Sequence, residues 1–356
     1  VENHKDSQKE LEQIAKNTEK KTKIKVSPKD VEDIISAVKT TGNFWQIVNF
    51  SQKPIPVIAE TIRLLKKYGY IDFENENIKV LEKLEKKFDY IPKFINELIC
   101  PECQGRGINI KAIGIYEEFF EIQKNRPKPI QQYDQGNITP DSTIARVSMM
   151  RLRGDIAKKR IIVLGDDDLV GIALALTKLP EEILVLDIDK RLIDFTNEVA
   201  QSRGLKLKAE VFDLRNPLPK EFNRNFDVFV TDPPEAKKAF QTFLQKSIWC
   251  LKGVGSVGYI GMTLIDSSLH KWSELQKIIL NSGAVITDII RDFNKYENWD
   301  YHQNTLAWKI APVKSPANTI WYVSAMVRIQ IVRKPVAKNT LMKNKDIYID
   351  TESTTT

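Results

Sequence analysis

Cysteine is scarce in this 356-residue chain: there are three, at positions 100, 103 and 250. So few exclude a disulfide scaffold, which needs several bridges. Cys100 and Cys103 form a CxxC pair, but a structural zinc site takes four ligands. Histidine is equally sparse, at His4, His270 and His302. No metal site is expected within the chain. The pair reads instead as a tight turn between Pro101 and Gly105, with a disulfide as the other reading. Long apolar runs are missing too, and nothing approaches the roughly 20 residues of a membrane-spanning helix. No cationic-then-apolar leader opens the sequence. A cytoplasmic protein with no membrane partner is therefore expected.

Against these absences stands an excess of positive charge, +7 overall. Such a balance invites an acidic or nucleic-acid partner. The distribution argues otherwise, because residues 160–236 hold fifteen acids against ten bases. The surplus of lysine and arginine lies elsewhere, including Arg333–Lys345. An acidic centre in a basic protein points to a cationic ligand bound at the centre.

The chain divides by pattern. Residues 1–26 are rich in Lys, Glu and Gln and read as a charged arm, a solvated helix or a disordered lead-in. Residues 27–90 read as a winged-helix-like domain. Ser27-Pro28 opens a helix with Val31, Ile34, Ile35 and Val38 on one face. Apolar clusters at 44–48 and 57–65 give two more helices, and a hairpin turns at Glu74-Asn75-Glu76-Asn77. A winged helix serves DNA binding or dimerisation. Arg63, Lys66 and Lys67 are the only cations on its third helix, which favours packing or a homodimer. Residues 91–155 form a connecting segment. Residues 156–335 alternate strand and helix, the pattern of a Rossmann-like parallel sheet. Residues 336–356 form a tail, ending disordered at Thr351–Thr356.

Chemistry gathers where the strands end, the side on which open parallel sheets bind ligands. Four successive strands finish in acids: Gly165-Asp166-Asp167-Asp168, Asp187-Ile188-Asp189, Asp213, and Asp232-Pro233-Pro234-Glu235. Asp187 follows Gly165 at the interval of a ribose-binding acid and can accept from both ribose hydroxyls. Asp189 reads as a helix cap. Asp213 is placed to accept from an adenine amino group. The first loop departs from the usual glycine-rich pattern, since three aspartates cannot receive a phosphate. Acids so close together repel one another and call for a bound cation, either an ammonium or a metal. Asp232-Pro233-Pro234-Glu235 resembles the Asp-Pro-Pro-aromatic motif of amino-group methyltransferases. Glu235 stands where the aromatic would stack on a base, which favours an aliphatic polyamine over a nucleobase.

Together these residues resemble the archaeal and thermophile branched-chain polyamine synthases, the N(4)-bis(aminopropyl)spermidine synthase family. The resemblance rests on Gly165-Asp166-Asp167-Asp168-Leu169, Asp187, Asp213, Asp232-Pro233-Pro234-Glu235 and the upstream Tyr133-Asp134-Gln135-Gly136, and spans roughly residues 27–340. It implies a class I methyltransferase-like α/β domain behind a winged-helix-like one. It implies decarboxylated S-adenosylmethionine as aminopropyl donor and co-substrate, with no permanently bound cofactor. It also implies spermidine as acceptor, one or two aminopropyl additions, and methylthioadenosine as by-product.

The acids suit that chemistry. The donor has lost its carboxylate and ends in an ammonium, so an acidic loop attracts it and repels intact S-adenosylmethionine. One carboxylate must take the proton of the attacking amine. Asp166, first after the strand, is expected there, with Asp232 as the rival. Asp167, Asp168, Tyr133, Asp134, Gln135 and Glu235 are expected to hold the substrate. Gly165, Asp187 and Asp213 are expected to hold the nucleoside. Two other readings stay open. One is an S-adenosylmethionine-dependent amino-group methyltransferase acting on nucleic acid. The other is a regulator with a vestigial nucleotide domain. The aromatic stretch Asp292–Gln303 reads either as a cover over the substrate or as an idle surface loop.

Overall fold

The computed structural model describes residues 2–94, 98–342 and 348–355. The end of the basic stretch Arg333–Lys345 and residue Thr356 lie outside them.

The N-terminal part begins with a 21-residue helix, α1 (Glu2–Thr22). The expectation of a solvated arm is corrected here. Leu11, Ile14 and Ala15 are buried, and Thr18 meets Thr61 on α4 (Ile55–Lys67) at 3.3 Å. The spacing 11, 14, 15, 18 is one helical face, sparse but sufficient to dock. Between them, α2 (Pro28–Thr40) starts at a reciprocal Ser27–Asp30 capping box. Asn43 caps α3 (Phe44–Ser51). The hairpin β1 (Ile71–Glu74) and β2 (Asn77–Val80) pairs Ile71 with Val80. Three helices and a hairpin make the expected winged-helix-like unit, followed by the short α5 (Glu82–Lys87).

Helices α6 (Tyr116–Gln123) and α7 (Pro140–Leu152) lead into the core. Its chain order is β3 (Arg160–Leu164), α8 (Val170–Leu176), β4 (Glu182–Asp187), α9 (Lys190–Arg203), β5 (Lys208–Val211), β6 (Val228–Thr231), α10 (Lys237–Cys250), β7 (Val257–Met262), α11 (Leu269–Asn281), β8 (Ala284–Lys295), α12 (Leu306–Ile310) and β9 (Val323–Ile331). The sheet runs β5-β4-β3-β6-β7-β9-β8. Its first five strands are parallel, and β9 is antiparallel to both neighbours. This is the Rossmann-like, class I methyltransferase-like arrangement that was expected.

Alternation along β3 divides the core. Ile161 and Val163 pack with α7, α8 and α9, while Ile162 and Leu164 pack with α10 and α11. Strand order reverses at β3, between β4 and β6, so the cleft of such a sheet opens at the carboxyl ends of these three strands. The N-terminal unit braces this end from one side. Trp45 Nε1 donates to Ser315 O at 2.9 Å, and Ile55 N donates to Ile265 O at 3.2 Å. Among the described residues no helix is long and apolar enough to cross a membrane.

Candidate active site

The three aspartates after β3 diverge. Asp166 turns under the sheet edge and is 2% exposed. Its carboxyl accepts from Val170 N at 2.6 Å and Gly171 N at 2.9 Å, the open N–H groups at the start of α8. Burial pushes it well above the usual carboxylate range. Asp166, expected as the proton acceptor, thus has its carboxyl engaged with the start of α8 and does not line the cleft. Asp168, expected as a substrate anchor, does not line the cleft either. It accepts from Ile138 N at 2.9 Å and from Arg146 Nη1 at 2.8 Å, and burial raises it to about 6. Asp167 alone of the three lines the cleft. Among the described residues its carboxyl has no hydrogen-bond or ion-pair partner. Burial, and then the charges of Asp168, Asp187 and Asp232, push it well above the ordinary range.

The cleft has an empty volume of about 1000 Å³. One side is formed by the ends of β3, β4 and β5, with Gly165, Asp187 and Asp213 among its lining residues. Gly165 has φ 75°, a conformation that only glycine adopts readily, and lets a ligand approach β3 against Phe243. Asp187 ends β4 on the cleft wall, with its two oxygens accepting from Asp166 N at 2.8 Å and Asp189 N at 2.7 Å. Each oxygen keeps acceptor capacity beyond these bonds. Asp189 caps α9, as expected. Asp213 is wrapped by Arg215, which donates backbone N and Nε to Oδ1 and Nη2 to Oδ2 at 2.7–2.9 Å. Asp213 also lines the cleft, and its carboxylate keeps acceptor capacity beyond these bonds.

The other side is acidic and aromatic. Asp134, Asp167, Asp232 and Glu235 line it together with Tyr296, Trp299, Tyr301 and Tyr322. Tyr133 lines it as well. Asp134 adopts a left-handed conformation at φ 54° that turns it toward the cleft. Gln135 bridges Ile130 N at 2.9 Å and Asp189 Oδ2 at 3.1 Å, fixing this loop to the side formed by the strand ends. Asp232 Oδ2 accepts from Tyr296 OH at 2.7 Å and from Arg146 Nη2. Arg146 is fully buried and joins Asp168, Asp232 and Asn294. Burial first, then Asp266, Asp134 and Asp232, push Glu235 well above its usual range. Acids set among aromatic faces give this side of the cleft a composition that suits a cation once the carboxyls are ionised.

Several lining residues escaped the sequence pattern. Arg146 sat inside an apolar helix face. Tyr296, Trp299 and Tyr301 belong to the aromatic stretch that left two readings open, and the structure puts all three on the cleft wall. The chain end expected to be disordered is instead packed. Ser353, Thr354 and Thr355 are buried. Asp266 accepts from Thr354 N at 2.8 Å and Thr355 Oγ1 at 2.7 Å, and Thr355 reaches the cleft. A run of threonine and serine carries no apolar signal, so only a buried acceptor such as Asp266 could order it.

Residues 114–355 match the model of the branched-chain polyamine synthase A C-terminal domain. N(4)-bis(aminopropyl)spermidine synthase of Methanocaldococcus jannaschii is 43% identical over 354 residues, spanning 97% of this chain and all of that one. The protein of that name from Thermococcus kodakarensis is 40% identical over 353 residues, again 97% of this chain and all of its own. The crystal structure of the branched-chain polyamine synthase from Thermus thermophilus, in complex with N4-aminopropylspermidine and 5'-methylthioadenosine, superposes with a TM-score of 0.92. It is 36% identical and covers 97% of this chain and 98% of its own.

Proposed function

The chain belongs to the branched-chain polyamine synthase family, and on that premise we propose that its cleft moves the aminopropyl group of decarboxylated S-adenosylmethionine to the secondary amine of spermidine. The observation that carries the reading is the Asp167 carboxyl, which lines the cleft together with Asp134, Asp232 and Glu235 and has no hydrogen-bond or ion-pair partner among the described residues.

The residues divide the work by position. Gly165, Asp187 and the Phe212–Arg215 wall hold the nucleoside. Asp134 and Glu235 hold the terminal ammoniums of the acceptor. Asp232, fixed by Arg146 and Tyr296, sets the height of the central nitrogen. Asp167 takes that nitrogen's proton. The neutral nitrogen then attacks the propyl carbon beside the sulfonium. The C–N bond forms as the C–S bond breaks, its electron pair returns to sulfur, and neutral methylthioadenosine leaves. A first transfer makes a tertiary amine and a second makes a quaternary ammonium, so each needs the nitrogen unprotonated at the moment of attack. Binding the flanking ammoniums to fixed carboxylates limits attack to the nitrogen between them.

The same reading assigns residues 156–335 to catalysis and 27–90, joined by α1, to a winged-helix-like support. Residues 91–155 connect the two, and residues 336–356 form a tail from which Tyr348 and Thr355 line the cleft. It also takes the chain to be cytoplasmic, which three free cysteines fit, and homodimeric. The test is to incubate the purified protein with spermidine and, separately, S-adenosylmethionine or its decarboxylated form. Only the decarboxylated donor is expected to release methylthioadenosine and give products heavier by one or two aminopropyl groups. Methyl transfer from the intact donor would overturn the proposal.

A further inference from the structure

The CxxC pair has no place in the cleft. Cys100 and Cys103 are free, Cys100 exposed and Cys103 half-buried. They sit on a turn in which Gln104 N donates to Cys100 O at 2.8 Å and Arg106 N donates to Cys103 O at 2.9 Å. Gln104, Gly105 and Gly107 take φ values of 51°, 84° and 67°. This winding turns the N–H groups of Gly107 and Gly105 toward the Cys103 sulfur, which lies beside the Cys100 sulfur. Two cysteine sulfurs side by side on one turn are the ligand type of a borderline-soft cation.

The turn is also held firmly. Arg106 is buried and donates Nε to Phe293 O at 2.8 Å and Nη2 to Ser142 Oγ at 2.9 Å. Lys295 Nζ donates to Gln104 Oε1 at 2.6 Å. The sulfurs are thus presented from a fixed base, as a ligand site requires.

Two sulfurs make half of a tetrahedral site. Among the described residues no third His, Cys, Asp or Glu joins them. Cys250 is buried in the core between α10 and the sheet. Next to the pair, Leu98 is 82% exposed and Ile99 41% exposed, apolar side chains left in water. A second copy related by a two-fold axis beside the turn would supply two more sulfurs and cover these side chains in one contact. We propose that Cys100 and Cys103 from two copies of this chain bind one Zn²⁺ in a four-sulfur site at a homodimer contact.

The experiment takes the full chain, purified without chelator, and measures metal content, mass in solution and X-ray absorption at the zinc edge. The expected result is a dimer with about one zinc per two chains and four sulfurs at roughly 2.3 Å. One chain cannot supply four sulfurs from three cysteines. Cys103→Ser is expected to lose the zinc and weaken dimerisation about tenfold or more. Where that variant fails to fold, Co²⁺ titration of the unaltered apo-protein decides, with the thiolate charge-transfer band expected to saturate at half an equivalent per chain. One metal per chain in a monomer, nitrogen or oxygen ligands at the metal, or metal-free protein with reactive thiols or a Cys100–Cys103 disulfide would each overturn the proposal.

Discussion

Asp166 and Asp167 adjoin in sequence, yet their carboxyls serve opposite sides of one loop. Asp166 accepts from Val170 N and Gly171 N beneath it, while Asp167 faces the cleft. Asp167→Asn should cut turnover about 100-fold or more, the scale of a lost general base, at unchanged stability. Asp166→Ala should lower unfolding free energy by about 1–2 kcal/mol through loss of the helix cap. Steady-state methylthioadenosine release and denaturant titration of both variants check the split. The reverse pattern would return the role to Asp166.

Arg146 links Asp168 to Asp232 inside the protein. Arg146→Met leaves two buried carboxyls without their cation and should cost about 3–5 kcal/mol. Arg146→Lys should recover only part of this, because an ammonium cannot fork to two acids and Asn294 together. Urea unfolding midpoints of the pair of variants measure the difference.

Gly261 on β7 sits so close to Asp232 that any Cβ there would overlap its carboxylate. Gly261→Ala should therefore displace Asp232 while the sheet still forms. The Michaelis constant for spermidine is expected to rise by about tenfold or more, with a smaller change for the donor, since a shift of about 1 Å at a positioning group costs that much. Equal effects on both substrates would count against Asp232 as the acceptor's positioning group.

Asp167 and Glu235 both have raised proton affinity in the empty cleft, chiefly from burial. Below their raised pKa values they are protonated and neutral. An arriving ammonium favours the charged form, so binding must release protons there. Acceptor affinity is expected to rise with pH until both carboxyls are ionised in the free protein. Calorimetry of N4-aminopropylspermidine binding, in buffers of different ionisation enthalpy, reads the released protons directly. Binding without release at mildly acidic pH would refute the assignment.

Asp266 holds the chain end through Thr354 and Thr355 and also accepts from Tyr322 OH at 3.1 Å. Asp266→Ala should free residues 350–355, seen as faster trimming by carboxypeptidase, and should weaken acceptor binding because Thr355 leaves the cleft wall.

The strand-and-helix alternation, the reversal point of the sheet and the acids at the strand ends were legible without coordinates. Period-two and helical spacing encode these directly, and short βα loops place strand-end residues on one side of the sheet. Which acid does what was not legible. Asp166, Asp167 and Asp168 look equivalent in a string, and their fates depend on the direction in which α8 leaves the loop. Arg146 was hidden because its partners, Asp168 and Asp232, are 22 and 86 residues away. Tyr296, Trp299 and Tyr301 gained their place from the end of β8, whose register breaks between Ile290 and Asn294 redirect the chain.

Thus the sequence by itself determined the sheet and the gathering of acids at its strand ends, because those follow from local spacing and from the order of residues after each strand. Tertiary structure alone decided which carboxyl faces the cleft, and why a threonine-rich end is ordered. Both depend on partners brought together from distant parts of the chain, and burial changes the proton affinity of a group only once those partners have assembled around it.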